Sequence, residues 1–396
     1  MPGAKHRKRT DARYGLRRAA VGVLGVLVVF VAIASFSLGG YLVDPAYGSS
    51  MSSRAAEWAR EHGAGSLVTD VENWWYRSHP PSVGGRPGAG QISVPTKKLV
   101  VNPLIGLPLP HRVISPAQPP LPGEGVWQPV GRSVEGQPAV LKAVVRVDAV
   151  HTSYTASIAW MDTKLLSAAL YSGSFIPGGG PYTHTAPVSP VAATSLVAAF
   201  NAGFRMQDAQ GGYYTDGKTV LPLRPGAASF VIYNDGSTAI GAWGTEVAMT
   251  PRVQSVRQNL DLIVDGGKPV PGLAVSNNLS WGATINGNVY AWRSGVGITA
   301  NGALVYVGGP AMSINTLADV LIRAGAVRAM ELDINEDWVQ YSTYTYPPGG
   351  AANGANGTSL DPNMVSSPSR YFATWFNRDF FTMSARRPTT SVVTTH

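Results

Sequence analysis

Between Val140 and Leu332 one stretch carries a helical hydrophobic period. Leu317, Val320, Leu321 and Ala324 stand at i, i+3, i+4 and i+7, which is one apolar face of a helix. Asn315 is the expected N-cap and Gly325 the expected stop, so the spacing predicts a helix over 316–325. Around it lie β-branched and apolar runs separated by glycine turns. Val140–Val150, Ser195–Phe200, 289–292, 303–307 and 326–332 all read as strands. Ser229–Tyr233 and Ser237–Trp243 flank Asn234-Asp235-Gly236, whose Asp-Gly pair supplies the positive φ of a hairpin turn. The expected class is α+β, with a mixed, mainly antiparallel sheet and packed helices. No period of 20–50 residues recurs, which excludes a repeat array.

The chain has 396 residues and a formal charge of +8, but that charge is not spread evenly. Residues 1–18 hold seven Lys or Arg against Asp11, a net of +6, so the other 378 carry only +2. A nucleic-acid partner therefore loses its electrostatic footprint and is not expected. Ala19–Val43 follows as 25 residues without a charge, enough to cross a hydrocarbon layer of ~30 Å. Basic residues before an apolar run predict a single-pass membrane anchor with a cytoplasmic tail and an extracytoplasmic main domain. A cleaved signal peptide is the competing reading, through Ala32-Ile33-Ala34. The chain contains no cysteine, so disulfides, thiolate metal sites and cysteine nucleophiles are excluded. An exported domain this large can dispense with disulfides, which fits a bacterial envelope protein.

The expected organisation is a basic tail at 1–18, an anchor at 19–43 and a Pro/Gly-rich stalk at 44–136. A folded domain at 137–385 and a disordered tail at 386–396 complete it. Within the stalk, Ser52–His62 is a short helical candidate, and Trp74-Trp75-Tyr76 is expected to pack against the domain.

Three polar clusters fall where strands should end, the usual place for a scaffold to display chemistry. The first is Asn201-Ala202-Gly203-Phe204-Arg205. Asn201 offers an acceptor and a donor for a sugar hydroxyl or phosphoryl oxygen, and Gly203 permits close approach of backbone to ligand. In the second, Arg293 precedes the glycine-rich Ser294–Gly297, read as a bend; its guanidinium suits phosphate, with Arg205, Arg224 and Lys218 as further cations. The third gathers Glu331, Asp333, Glu336 and Asp337, with Asn335 between them. On a strand, Glu331 and Asp333 share a face, and two carboxylates beside a cleft suit glycosidic cleavage.

Asp333-x-Asn335-x-Asp337 also opens like a calcium loop, but the sixth position is Trp338 and the twelfth Tyr344, which rejects an EF-hand. A calcium ion near Asp333 and Asp337 is the one cation site left open; otherwise no cofactor is expected. Neither Gly-x-Ser-x-Gly nor His-Glu-x-x-His occurs, and His151 and His184 stand without an evident partner.

The order and character of these clusters resemble the phosphodiester glycosidase family over roughly 140–385, most strongly over 195–337. The segments that carry the resemblance are Asn201-Ala202-Gly203-Phe204, Arg293–Gly297, and the helix at 316–325 followed by a strand ending in Leu332-Asp333. The resemblance implies hydrolysis of a sugar from a phosphodiester, giving free sugar and a phosphomonoester. It implies that Asn201 orients substrate, Arg293 holds phosphate, and Asp333 serves as acid, base or cation stabiliser. Glu331 joins them through strand geometry rather than through the family. After Asp333 this chain has Ile334-Asn335-Glu336-Asp337 where the family has a glycine-rich turn, and acidic residues there oppose a phosphate. The expected substrate is an envelope glycan or sugar phosphate; the alternative is a non-catalytic cell-wall glycan-binding or polysaccharide-assembly protein on the same fold.

Overall fold

The computed structural model describes residues 24, 26, 28–95, 99, 101–102, 104–273, 281 and 289–386. The expected tail at 1–18, part of 19–43, the turn Asn286-Gly287-Asn288 and most of 386–396 lie outside them. The chain divides into two compact units, residues 1–68 and 69–396.

In the first unit, residues 28–43 are helical. Among the described residues no helix is long and apolar enough to cross a membrane. Helix α1, Met51–Ala59, begins at Ser50, whose hydroxyl accepts from Ser53 N, and answers to the helix expected from Ser52. After a kink at His62 and Gly63 the backbone turns helical again as α2, Gly65–Ser78, whose residues from Thr69 onward belong to the second unit. Trp74 and Trp75 on α2 are more than half exposed, so the expected packing of this pair is not found.

The second unit is built from strands. In chain order they begin with β1 Gln128–Val134, β2 Gln137–Arg146, β3 Thr155–Met161 and β4 Leu166–Tyr171. A one-turn helix, α3 Pro190–Ala193, leads into β5 Leu196–Asn201. Then come β6 Tyr213–Thr215, β7 Lys218–Leu221, β8 Ala228–Tyr233, β9 Thr238–Ala242 and β10 Val253–Gln258. They are followed by β11 Leu262–Asp265, β12 Lys268–Pro269, β13 Ala291–Thr299 and β14 Leu304–Met312. Helix α4 Ile314–Arg323 precedes β15 Ala326–Ile334, and β16 Tyr341–Tyr344, β17 Gly357–Ser359 and β18 Phe380–Ala385 close the series. They form three sheets, ordered β1-β2-β3-β14-β13-β15-β11-β12, β7-β6-β10-β8-β9 and β17-β16-β5-β18-β4. The paired strands run antiparallel, as in the expected α+β class.

Alternation along the strands explains the two cores. Val140, Ala159, Leu304 and Tyr306 point into one cluster with Phe200, Phe230, Tyr341 and Phe381. Their neighbours Leu141, Trp160, Val305 and Val307 point the other way, against Leu317, Val320 and Leu321 of α4. Because the large sheet is covered on both faces, its central strands read as unbroken apolar runs. The N-cap of α4 is Ser313, whose hydroxyl accepts from Thr316 N at 3.2 Å, rather than the expected Asn315. Ser294–Gly297 is not a bend but the middle of β13. A Cβ on Gly295 would stand 3.0 Å from Leu321 Cδ1, and one on Gly297 2.6 Å from Ala326 Cβ. The missing side chains let α4 and β15 close onto β13.

Residues 104–127, read from composition as stalk, run against the large sheet. Leu107, Val113 and Trp127 join its α4-side core. Glu124 is buried with Arg146, whose Nη2 donates to its Oε2 at 3.0 Å, while Ser115 Oγ donates to Oε1 at 2.6 Å. Burial pushes the Glu124 carboxyl up, and the bonds from Arg146, Ser115 and Leu121 outweigh it and hold the group below its ordinary value.

Candidate functional site

The three polar clusters meet where β5, β13 and β15 come together. Asn201 is the last residue of β5. Its Oδ1 accepts from Tyr306 OH at 2.9 Å and Gln340 N at 3.1 Å. Its Nδ2 donates to Ala202 O at 2.9 Å and Ser294 Oγ at 3.0 Å. Ser294 Oγ in turn donates to Asp333 O at 2.6 Å. Asn201, Ser294 and Asp333 are thus one hydrogen-bonded chain across three strands, and the amide of Asn201 is spent on fixing that geometry.

Gly203 permits a close approach, but the approaching group belongs to the protein. A Cβ there would lie 2.6 Å from Asn259 Oδ1. Asn259 Oδ1 accepts from Phe204 N at 3.0 Å, and its Nδ2 donates to Glu331 O at 2.9 Å, stitching the first cluster to β15. Arg205 is buried and bonds Asp208 Oδ2 through Nε at 2.8 Å. Arg224 bonds Asp261 Oδ1 at 2.6 Å, and Lys218 lies over the Tyr182 ring at 5.9 Å.

Arg293 and Glu331 form an ion pair with no exposed surface on either side chain. The Arg293 Nε donates to Met312 O at 2.9 Å and its Nη2 to Val289 O at 3.2 Å. All three guanidinium nitrogens point into the protein, so the phosphate contact expected of Arg293 does not match its position. Burial pushes the Glu331 carboxyl up to about 7 against the pull of Arg293, and its Oε2 has no hydrogen-bond partner. The pair underlies the site rather than lining it.

Asp333 stands one residue before the end of β15. Its Oδ1 accepts from Ile334 N at 2.9 Å, and its Oδ2 lies 3.7 Å from Arg378 Nη1. Asn335 then turns the chain with φ 86, and its Oδ1 accepts from Asp337 N at 3.0 Å. Asparagine tolerates this left-handed backbone, so the turn survives without glycine. The turn delivers Trp338, with the Arg378 guanidinium 4.1 Å from its ring centroid and that of Arg370 at 5.7 Å. Arg370 donates to Asp337 O from both Nη1 and Nη2 at 3.1 Å. Burial above all, together with repulsion from Arg378, pulls Arg370 down to about 10 against the attraction of Tyr371 and Asp337.

A guanidinium beside Asp333 opposes a cation there, so the residues do not fit the calcium ion allowed by the sequence. Among the described residues no group of three or more His, Asp or Glu side chains is arranged to hold a metal. His151 bonds Asp148 Oδ2 at 2.8 Å, and the His184 ring lies tilted against that of Tyr171, with centroids 5.0 Å apart.

Sequence reading missed Arg257, Asn259, Trp338, Arg370, Arg378 and Asp379. Arg257 is buried, bonding Asp379 Oδ2 at 2.6 Å and also Phe204 O. The adjacent Arg378-Asp379, a charge pair inside an aromatic segment, was the available signal.

No curated protein matches this sequence. The catalytic domain of zebrafish N-acetylglucosamine-1-phosphodiester alpha-N-acetylglucosaminidase, auto-inhibited by its pro-peptide, is similar at 16% identity. That likeness covers 74% of this chain and 96% of the zebrafish chain, with a TM-score of 0.43. A hypothetical protein from Synechocystis is similar at 11% identity over 65% of this chain and 64% of its own, with a TM-score of 0.36. These likenesses are too distant to assign an activity. The sequence match is narrower and more specific: residues 194–333, which hold Asn201, Arg293 and Asp333, match the phosphodiester glycosidase family.

Proposed function

We propose that this chain is a hydrolase that removes a sugar from a glycosidic phosphodiester, working outside the cytoplasm on an envelope glycoconjugate. The observation that carries the reading is Asp333. It closes the family-matched segment, sits at a strand end, and holds its carboxylate 3.7 Å from a guanidinium. Water adds to the anomeric carbon as the bond from that carbon to the phosphate oxygen breaks. The electron pair leaves with the phosphate, which departs more easily than an alkoxide and needs little acid help. Asp333 takes the proton from the attacking water, or its charge stabilises the oxocarbenium-like transition state. The Arg293–Glu331 pair and the Asn201–Ser294 chain hold β15 in place beneath it. The basic residues of 1–18 and the uncharged run 19–43 support membrane attachment with the second unit outside.

The test is release of free sugar from a panel of sugar-1-phosphodiesters, with Asp333→Asn in parallel. The wild type is expected to release sugar, and the variant to lose about 100-fold or more of that activity. A folded wild type that releases nothing from any member sinks the hydrolase reading in favour of glycan binding.

A further inference from the structure

Beyond the family-matched segment, three buried side chains gather beside Asp333: Trp338, Arg370 and Arg378, each no more than 8% exposed. Arg370 and Arg378 both lie over the indole of Trp338, at 5.7 and 4.1 Å. Two like charges drawn to one ring raise each other's energy; Asp333 and Asp337 offset part of it, and a further anion received between them would offset more. Arg370 Nε is a buried donor without a hydrogen-bond partner. Buried polar atoms are nearly always bonded, so this donor calls for an acceptor. The unprotonated oxygens of a phosphoryl group are such acceptors, and they suit a guanidinium.

We infer that Trp338, Arg370 and Arg378 form a phosphate subsite, in which Arg378 and the unpartnered Nε of Arg370 meet the phosphoryl oxygens while the two Nη atoms of Arg370 hold the turn that carries Trp338. This deepens, and rests on, the hydrolase reading proposed above. Arg378 is the bridge between the two halves, since its Nη1 also lies 3.7 Å from Asp333 Oδ2. Arg370 also acts through the backbone, because its other two nitrogens hold Asp337 O. A diester brings one negative charge to this pair, whereas the phosphomonoester product brings about 1.5 to 2. The product therefore binds more tightly than the substrate, and inorganic phosphate and phosphomonoesters inhibit by occupying the subsite.

Calorimetric titration of the full chain with inorganic phosphate reads the subsite without needing turnover. Saturable binding is expected in the wild type, weakened about tenfold or more in Arg378→Gln through loss of a charge-assisted contact. Arg378→Lys keeps the charge but loses the planar fork and the stack, and binding there should be weaker by a smaller factor. Near-ultraviolet circular dichroism reports folding, and if the glutamine variant does not fold the lysine variant decides. Phosphate binding unchanged in the folded variants, or absent from a folded wild type, overturns the subsite. Turnover with an unaffected Arg378 variant would then leave the hydrolase reading standing. Phosphate binding through Arg378 without cleavage of any diester would remove the hydrolase reading and leave the anion site.

Discussion

Asn335 makes the turn after β15 with a left-handed backbone and a side-chain acceptor, so an acidic, glycine-free segment still reverses the chain beside Asp333. The acidity itself is managed residue by residue. Asp337 lends its backbone oxygen to Arg370, and Asp333 faces Arg378. Glu331 is the exception, a carboxyl with no exposed surface whose Oε2 bonds nothing. Burial raises it to about 7 from an ordinary 4.5, against the pull of Arg293. Between those values the folded chain holds a proton that the unfolded chain has released. The contribution of Glu331 to stability is therefore complete below about pH 4.5 and lost as the pH rises through about 7. Urea unfolding across this range should give a wild-type minus Glu331→Gln difference that falls with increasing pH. A flat difference would mean that Arg293 keeps Glu331 ionised throughout.

At the scale of elements, local signals carried far. The hairpin β8–β9, the amphipathic α4 and the strand that delivers Asp333 were all legible, because Asp-Gly turns and hydrophobic periods lie within a few residues. Asn201 and Asp333 were legible for the same reason, as polar residues at the ends of apolar runs. Arg370, Arg378 and Asn259 were not, since each gains its role from a partner dozens of residues away that no local pattern reveals. The glycines of β13 show a further limit. A glycine that opens a turn and one that admits a neighbouring element look alike in sequence, and Gly295 and Gly297 are of the second kind. Gly297→Ala puts a methyl 2.6 Å from Ala326 Cβ and 3.0 Å from Arg328 O. Overpacking of this kind costs about 1–3 kcal/mol, to be read as a lower denaturant midpoint at unchanged slope. An unchanged midpoint would show that β15 yields, and that close strand packing is not what the glycine provides.

For the second unit as a whole, the decisive strand is the last among the described residues. β18 lies between β4 and β5, so the third sheet is not continuous until residues 380–385 are in place. Phe380, Phe381 and Met383 have no exposed surface, and burying each contributes about 1.5–3 kcal/mol. Together they rival the 5–15 kcal/mol or so by which a typical domain is stable. The same segment brings Asp379 to the buried Arg257, and loss of one partner from such a pair costs a further 3–5 kcal/mol or thereabouts. Arg386 N donates to Leu165 O at 2.9 Å and its guanidinium to Asp235 O at 2.6 Å, closing the strand onto β4 and the β8–β9 turn. A chain ending at Arg386 keeps all of these contacts. One ending at Arg378 retains every residue of the proposed phosphate subsite, yet it should show no cooperative transition and should be cut rapidly by protease. If the shorter chain instead melts cooperatively, β4 and β5 must close on each other without β18. The site would then depend on the strap from Arg370 to Arg378 alone, not on the strand that follows it.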